Sequence, residues 1–210
     1  MLQLYNSLNS KLQPVSSGKD GKIRIYVCGI TVYDLCHIGH ARSMVVFDAY
    51  VSYLRSLGRE VEYVCNITDI DDKIIKRAEL QNISCDQLTT TMIDKMHADL
   101  QALGLARPDV EPRATQYIPQ MQSMIEDLIA KQYAYIADNG DVCFAVRNFK
   151  DYGKLSHRKL DDLISGARVE VELGKRDPAD FVLWKLAKAG EPAWDSPWGA
   201  GRPGWHIECS

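Results

Sequence analysis

His37 and His40 stand three residues apart, with Ile38 and Gly39 between them. On a helix that spacing puts both imidazoles on one face. The run before them alternates Ile23, Ile25 and Val27 with Arg24, Tyr26 and Cys28, which is the period of a strand. Gly29 to Leu35 then reads as a loop leading into a helix from about His37 to Leu57. Two histidines at a helix N-terminus add donors to the free amides and partial positive charge already there. Gly39 leaves the backbone open to a phosphate or a flat base. Donors so placed can stabilise charge building on an α-phosphate during nucleotidyl transfer. An isolated His-x-Gly-His string is better read as surface or capping histidines. The strand–loop–helix setting, at the carboxyl end of a parallel strand, favours nucleotide chemistry.

The surrounding elements have to hold this pair in place. Met44, Phe47, Val51 and Leu54 form an apolar stripe on the helix, and Gly58 is its expected C-terminal cap. A second strand runs over about Val61 to Ile67, then Asp69, Asp71 and Asp72 precede a helix over Lys73 to Leu80. Those carboxylates resemble a magnesium site by type but are better read as helix N-terminal charges and caps. Strand, helix, strand, helix at this spacing implies an α/β fold with a right-handed βαβ unit and parallel strands. Ser84 and Gln87 fit a capping box opening a further helix, with Met92, Met96, Leu100 and Leu103 on one face and an end near Gly104. Two prolines mark Arg107 to Pro112 as a linker, and a helix is expected from about Thr115 to Lys131. The texture then changes. Asp138-Asn139-Gly140-Asp141 lies between β-prone runs as a hairpin signal, with short β-like pieces around Arg168 to Glu172 and Phe181 to Trp184. A boundary is expected near residue 115.

Composition narrows the function classes. A chain of 210 residues, 46% hydrophobic with a formal net charge of -3, suits a globular protein and carries no global nucleic-acid footprint. No apolar run approaches the ~18 residues of a membrane span, and the start shows no secretory pattern, so a cytoplasmic location is expected. Cys28, Cys36, Cys65, Cys85, Cys143 and Cys209 include no C-x-x-C pair. By composition alone they read as reduced, mostly buried thiols. The end, Gly204 to Ser210, reads as a run cut in mid-element.

Four runs together are specific. Tyr26-Val-Cys28-Gly29-Ile30-Thr31-Val-Tyr33-Asp34-Leu-Cys36-His37-Ile38-Gly39-His40 resembles the first signature of class I aminoacyl-tRNA synthetases in the form used by the cysteine enzymes. Asn66-Ile-Thr68-Asp69-Ile-Asp71-Asp72-Lys73-Ile, Asp180-Phe-Val-Leu-Trp184-Lys185 and Gly201-Arg202-Pro203-Gly204-Trp205-His206-Ile-Glu208-Cys209-Ser210 resemble three more, in the family's order. The resemblance implies the first half of a Rossmann-type (HUP-like) catalytic domain over residues 1–115 and a small mixed α/β connective insertion over 116–200. Residues 201–210 would return to the catalytic domain. It further implies cysteine activation by ATP and transfer to tRNA, by a monomer whose tRNA contacts come mainly from a carboxyl-terminal domain. His37 and His40 would be catalytic, with Ile30, Thr31, Ile38 and Gly39 completing the ATP-binding region. Gly29, Thr68 and Trp205 would form the amino-acid pocket.

The resemblance also reverses the reading of two cysteines. Cys28 and Cys209 would hold one zinc ion, with the remaining ligands beyond Ser210, while Mg²⁺ accompanies ATP. Zinc accepts a soft thiolate more readily than a hydroxyl, so the metal would discriminate cysteine from serine. His206 and Glu208 are expected to be supporting residues, and the 210 residues alone are expected to be inactive. Three alternatives stay open: a cysteine-activating ligase of mycothiol synthesis with an amino-sugar acceptor, an inactive nucleotide- or metal-binding paralogue, and a small adenylyltransferase.

Overall fold

The computed structural model describes residues 2–160, 174–204 and 206–210. The expected β piece near Arg168 to Glu172 lies outside them, as does Trp205. The chain divides into two compact units: Ser16–Tyr117 with Cys209, and Met1–Val15 with Ile118–Glu208 and Ser210.

The first unit is built on β3 (Ile23–Val27), α1 (Ile38–Ser56) and β4 (Val61–Cys65). β3 and β4 pair in parallel, Ile23 opposite Val61 through Val27 opposite Cys65. This is the βαβ arrangement that the alternating period and the intervening stripe imply, and Val51 and Leu54 of that stripe are buried. Beyond Cys65 the pairing continues as single bridges, with Thr31 against Thr68. The segment expected as a linker behaves differently. Val110 and Arg113 bridge in parallel to Val64 and Ile67, and the amides of Cys65 and Ile67 donate to the carbonyls of Val110 and Pro112 at 3.1 and 2.9 Å. Pro108 and Pro112 therefore flank a sheet edge, where a missing N–H can be tolerated.

α2 (Asp72–Gln81) starts at an Asp71 cap whose side chain accepts from the Lys73 amide at 2.8 Å. α3 (Cys85–Ala102) has the capping box read from Ser84 and Gln87, each side chain meeting the other residue's amide at 3.1 Å. Its buried face is Leu88, Ile93, Met96 and Leu100, whereas Leu103 is 52% exposed. Met96 and Leu100 of the expected stripe are buried and Met92 packs beside them, so only Leu103, at the C-cap, departs from it. Val32, Ile67, Ile93, Met96 and Leu100 form one apolar cluster of the unit, and Ile74, Ala78 and Leu88 another. A 3-10 turn, Ala114–Tyr117, closes this unit. Its start is fixed by buried Asp69, which accepts from the Thr115 amide at 2.9 Å and hydroxyl at 2.7 Å. Asp71 is therefore a cap, as expected, while Asp69 serves a chain segment far along the sequence.

The second unit holds an N-terminal hairpin, β1 (Gln3–Asn6) with β2 (Lys11–Pro14), and α4 (Ile118–Ala130). An antiparallel sheet follows in the order β5 (Ala134–Ile136), β6 (Val142–Phe144), β7 (Phe181–Leu186), β8 (Gly201–Pro203). The Asp138–Asp141 turn joins β5 to β6, as its composition requires. Buried Asp180 accepts from the Tyr135 hydroxyl at 2.7 Å and the Val146 amide at 2.9 Å. Trp184 is fully buried and meets Trp198 edge-on at 6.1 Å, which makes these rings packing elements. No described helix is long and apolar enough to cross a membrane.

Asp69 offers a direct check. Its replacement by alanine leaves the Thr115 amide without its acceptor, and the penalty for such a group is about 1–3 kcal/mol. Urea unfolding of Asp69→Ala is expected to show a loss of that size.

Candidate active site

The site forms where β3 and β4 end. Gly29 follows β3 by two residues, and its amide donates to the buried Asn66 side-chain oxygen at 2.7 Å. A Cβ on residue 29 would lie 1.5 Å from the Asn66 carbonyl oxygen. Only glycine permits this crossing. Asn66 in turn donates to the Thr68 hydroxyl at 3.3 Å, and the Cys209 sulfur lies 3.9 Å from the Asn66 side-chain oxygen. Thr68 is itself buried, and its carbonyl accepts the Val32 amide at 3.2 Å. Asn66 was missed as a site residue by sequence reasoning. Its signal was a polar residue directly after an apolar strand, at the ligand-facing end of a parallel pair.

The loop then delivers the histidines. His37 is the N-cap of α1, with extended backbone at φ −126 and ψ 171. Its Nδ1 accepts from the Gly39 amide at 3.1 Å, while the His37 amide donates to His40 Nδ1 at 3.3 Å. This is a capping box made of two imidazoles. The rings stack with centroids 3.8 Å apart at 21°. A nitrogen that accepts an amide proton carries none itself, so the geometry assigns the proton of each neutral ring to Nε2. Both Nε2–H groups are left as donors. Gly39 matters for a reason beyond ligand approach: a Cβ there would sit 2.9 Å from His37 Cε1, in the way of the folded-back ring. Burial, and secondarily the neighbouring His37, hold His40 below the usual imidazole range.

An open pocket of about 310 Å³ lies beside the pair. Cys28, Gly29, Ile30, Thr31, Gly39 and His40 line it, joined by Tyr33, Tyr63 and Lys73, which sequence reasoning had not assigned to a site. His37, Ile38 and Thr68 do not line it, and Ile38 is 86% exposed. Cys28 is exposed and Cys209 half-buried. Burial first, and the sulfurs of Cys209, Cys28 and Cys65 second, suppress the acidity of the Tyr26 phenol. Burial pushes the Cys65 thiol up to about 11, the behaviour of an inert interior cysteine. Among the described residues no three His, Cys, Asp or Glu side chains converge as a metal site. Of the remaining histidines, His97 pairs with Glu111 at 3.2 Å, His157 with the Ser10 hydroxyl at 3.1 Å, and His206 meets Phe181 edge-on at 5.4 Å.

Residues 14–210 match the family model described as the tRNA synthetases class I (C) catalytic domain. The chain belongs to that family. It is 59% identical to a cysteine–tRNA ligase of Shewanella piezotolerans over 210 residues, covering all of this chain and 46% of the relative. The corresponding ligase of Legionella pneumophila is 60% identical over the same span and share. The chain spans about half the length of the curated relatives it matches. A solved structure from Campylobacter jejuni, described as a "putative arginyl t-RNA synthetase", superposes with a TM-score of 0.50 at 13% identity. It covers 72% of this chain and 46% of that one, and supports the fold. Class I synthetase membership agrees with the parallel strand pair and the signature at its carboxyl end.

Two measurements test this geometry. In a histidine NMR titration His40 is expected to titrate below 6.5, and His37→Gln to move it upward. Because the folded value is depressed, stability linked to His40 is present above the ordinary value and lost as pH falls through the folded one. Gly29→Ala is expected to give little or no folded protein by circular dichroism, since backbone, not a flexible side chain, occupies the Cβ position.

Proposed function

We propose that this chain carries the cysteine-activating site of a cysteine–tRNA ligase. The observation that carries the reading is that Cys28 and His40 line one pocket at the end of a parallel strand pair. A phosphate-facing imidazole and a soft sulfur donor thereby serve the two ends of one substrate, cysteinyl-adenylate. Identity near 60% to cysteine–tRNA ligases along the whole chain supports cysteine as the amino acid.

In the first step the cysteine carboxylate attacks the α-phosphate of ATP, accompanied by Mg²⁺, and pyrophosphate leaves. The Nε2–H groups of His37 and His40 donate to the phosphoryl oxygens as charge grows there, preorganised by their Nδ1 contacts to backbone. In the second step the terminal ribose hydroxyl of tRNA takes the cysteinyl group. Gly29, Thr68 and Trp205 form the amino-acid pocket, Thr68 acting through the Asn66 side chain. Ile30, Thr31, Ile38 and Gly39 belong to the ATP-binding region.

The donor chemistry of Cys28 and Cys209 fits half of a tetrahedral zinc site, with both sulfurs near Tyr26 and the other ligands supplied from outside these 210 residues. Zinc there would supply a soft Lewis acid that a thiolate meets better than a hydroxyl. The same reading places the protein in the cytoplasm as a monomer, with no membrane partner and with tRNA held mainly by a carboxyl-terminal domain.

The test is cysteine-dependent ATP–pyrophosphate exchange by the full-length protein, with zinc quantified and serine as control. Exchange with cysteine alone, lost together with zinc in Cys28→Ser, is the expected outcome. An intact, zinc-loaded protein that gives no exchange would overturn the reading.

A further inference from the structure

α2 grips the signature loop at two positions one helical turn apart. Arg77 pairs with Asp34 at 3.2 Å. Lys73 lays its ammonium over the Tyr33 ring, 5.4 Å from the centroid. The two contacts differ in kind. The charge of Arg77 is matched by a carboxylate, whereas Lys73 makes no ion pair among the described residues. Tyr33 and Lys73 both line the pocket that His40 and Cys28 share.

Among the described lining residues Lys73 alone carries a permanent charge, and no carboxylate lines the pocket. His40 is kept towards its neutral form by burial. The substrates proposed above arrive with a triphosphate and a carboxylate. A single unpaired ammonium in a pocket of that size is the group their charge meets first. A ring face holds a lysine weakly and reversibly, while a phosphoryl oxygen offers a charge-assisted hydrogen bond. The Lys73 backbone is meanwhile fixed by the Asp71 cap, so only the flexible stem has to move.

We propose that Lys73 is a phosphate-binding residue of this pocket: its ammonium rests on Tyr33 when the pocket is free and moves to a phosphoryl oxygen when ATP binds. The Arg77–Asp34 pair ties the same loop to α2 one turn further on. The inference rests on the activation reading above.

The experiment compares full-length wild type with Lys73→Met, Lys73→Gln and Lys73→Arg. ATP–pyrophosphate exchange is run with ATP and cysteine varied separately. Direct ATP binding is followed by calorimetry, alongside circular dichroism and zinc content. Both neutral variants are expected to lose about ten- to a hundredfold in kcat/KM for ATP, the scale of one hydrogen bond to a charged group. KM for cysteine should change by less than about twofold, since a phosphoryl contact is not made to free cysteine. Lys73→Arg should recover most of the loss. A neutral variant that folds, binds ATP and exchanges like wild type would overturn the inference. A loss confined to KM for cysteine would overturn it too, and would assign the ammonium to the carboxylate. If neither neutral variant folds, wild-type ATP affinity that does not weaken as ionic strength rises counts against the contact. A wild-type protein with no exchange sinks the activation reading, yet calorimetry still decides whether Lys73 meets phosphate. An active protein indifferent to Lys73 sinks only this inference.

Discussion

Between Gly29 and Asn66 the ends of two parallel strands come closer than any side chain on residue 29 would allow. The contact is closed by the Gly29 amide and the Asn66 side chain, and everything in the site hangs from it. It sets where the loop leaves β3, hence where His37 caps α1. It places Cys28 at the pocket and leaves Asn66 oriented towards Thr68 and the Cys209 sulfur. A buried amide side chain suits this role because it accepts and donates at once. An apolar residue of similar size would leave the Gly29 N–H unmatched, and a carboxylate would add an unpaired buried charge.

Much of the first unit was legible because its signals are local. Period two over Ile23 to Val27, an apolar stripe over the following helix, and Ser84 with Gln87 each specify one element from within a few residues. The Asn139-Gly140 turn is local in the same sense. What escaped depends on partners distant in sequence. Arg107 to Pro112 reads as a linker because of its two prolines, yet the amides of Cys65 and Ile67 donate to its Val110 and Pro112 carbonyls. The β1–β2 hairpin gave no signal, since Leu4, Tyr5, Leu8 and Leu12 are all exposed and no buried alternation marks the strands.

The site shows the same division. The helix start at His37 and His40 could be placed from spacing and context. The stacking of their rings could not, because it follows from a capping geometry that histidine seldom provides. Lys73 and Tyr33 were hidden for another reason: their positions read as an ordinary helix start and a loop residue until α2 and the loop were brought together. Trp205 lies outside the described residues, so its part in the amino-acid pocket belongs to the proposal.

The imidazole cap on α1 has an evolutionary side. Serine, aspartate or asparagine is the ordinary choice at such a position, where good caps are worth about 0.5–2 kcal/mol over poor ones. Any of them would satisfy the Gly39 amide that His37 now serves. In the proposed role an aspartate there would meet a phosphate with like charge, and serine or asparagine would reach it with a shorter side chain and a different donor. A protein drifting under selection for thermal stability alone would be drawn towards those residues at position 37. On the proposed reading, selection for turnover acts against that drift, and robustness and chemistry pull the same codon in opposite directions.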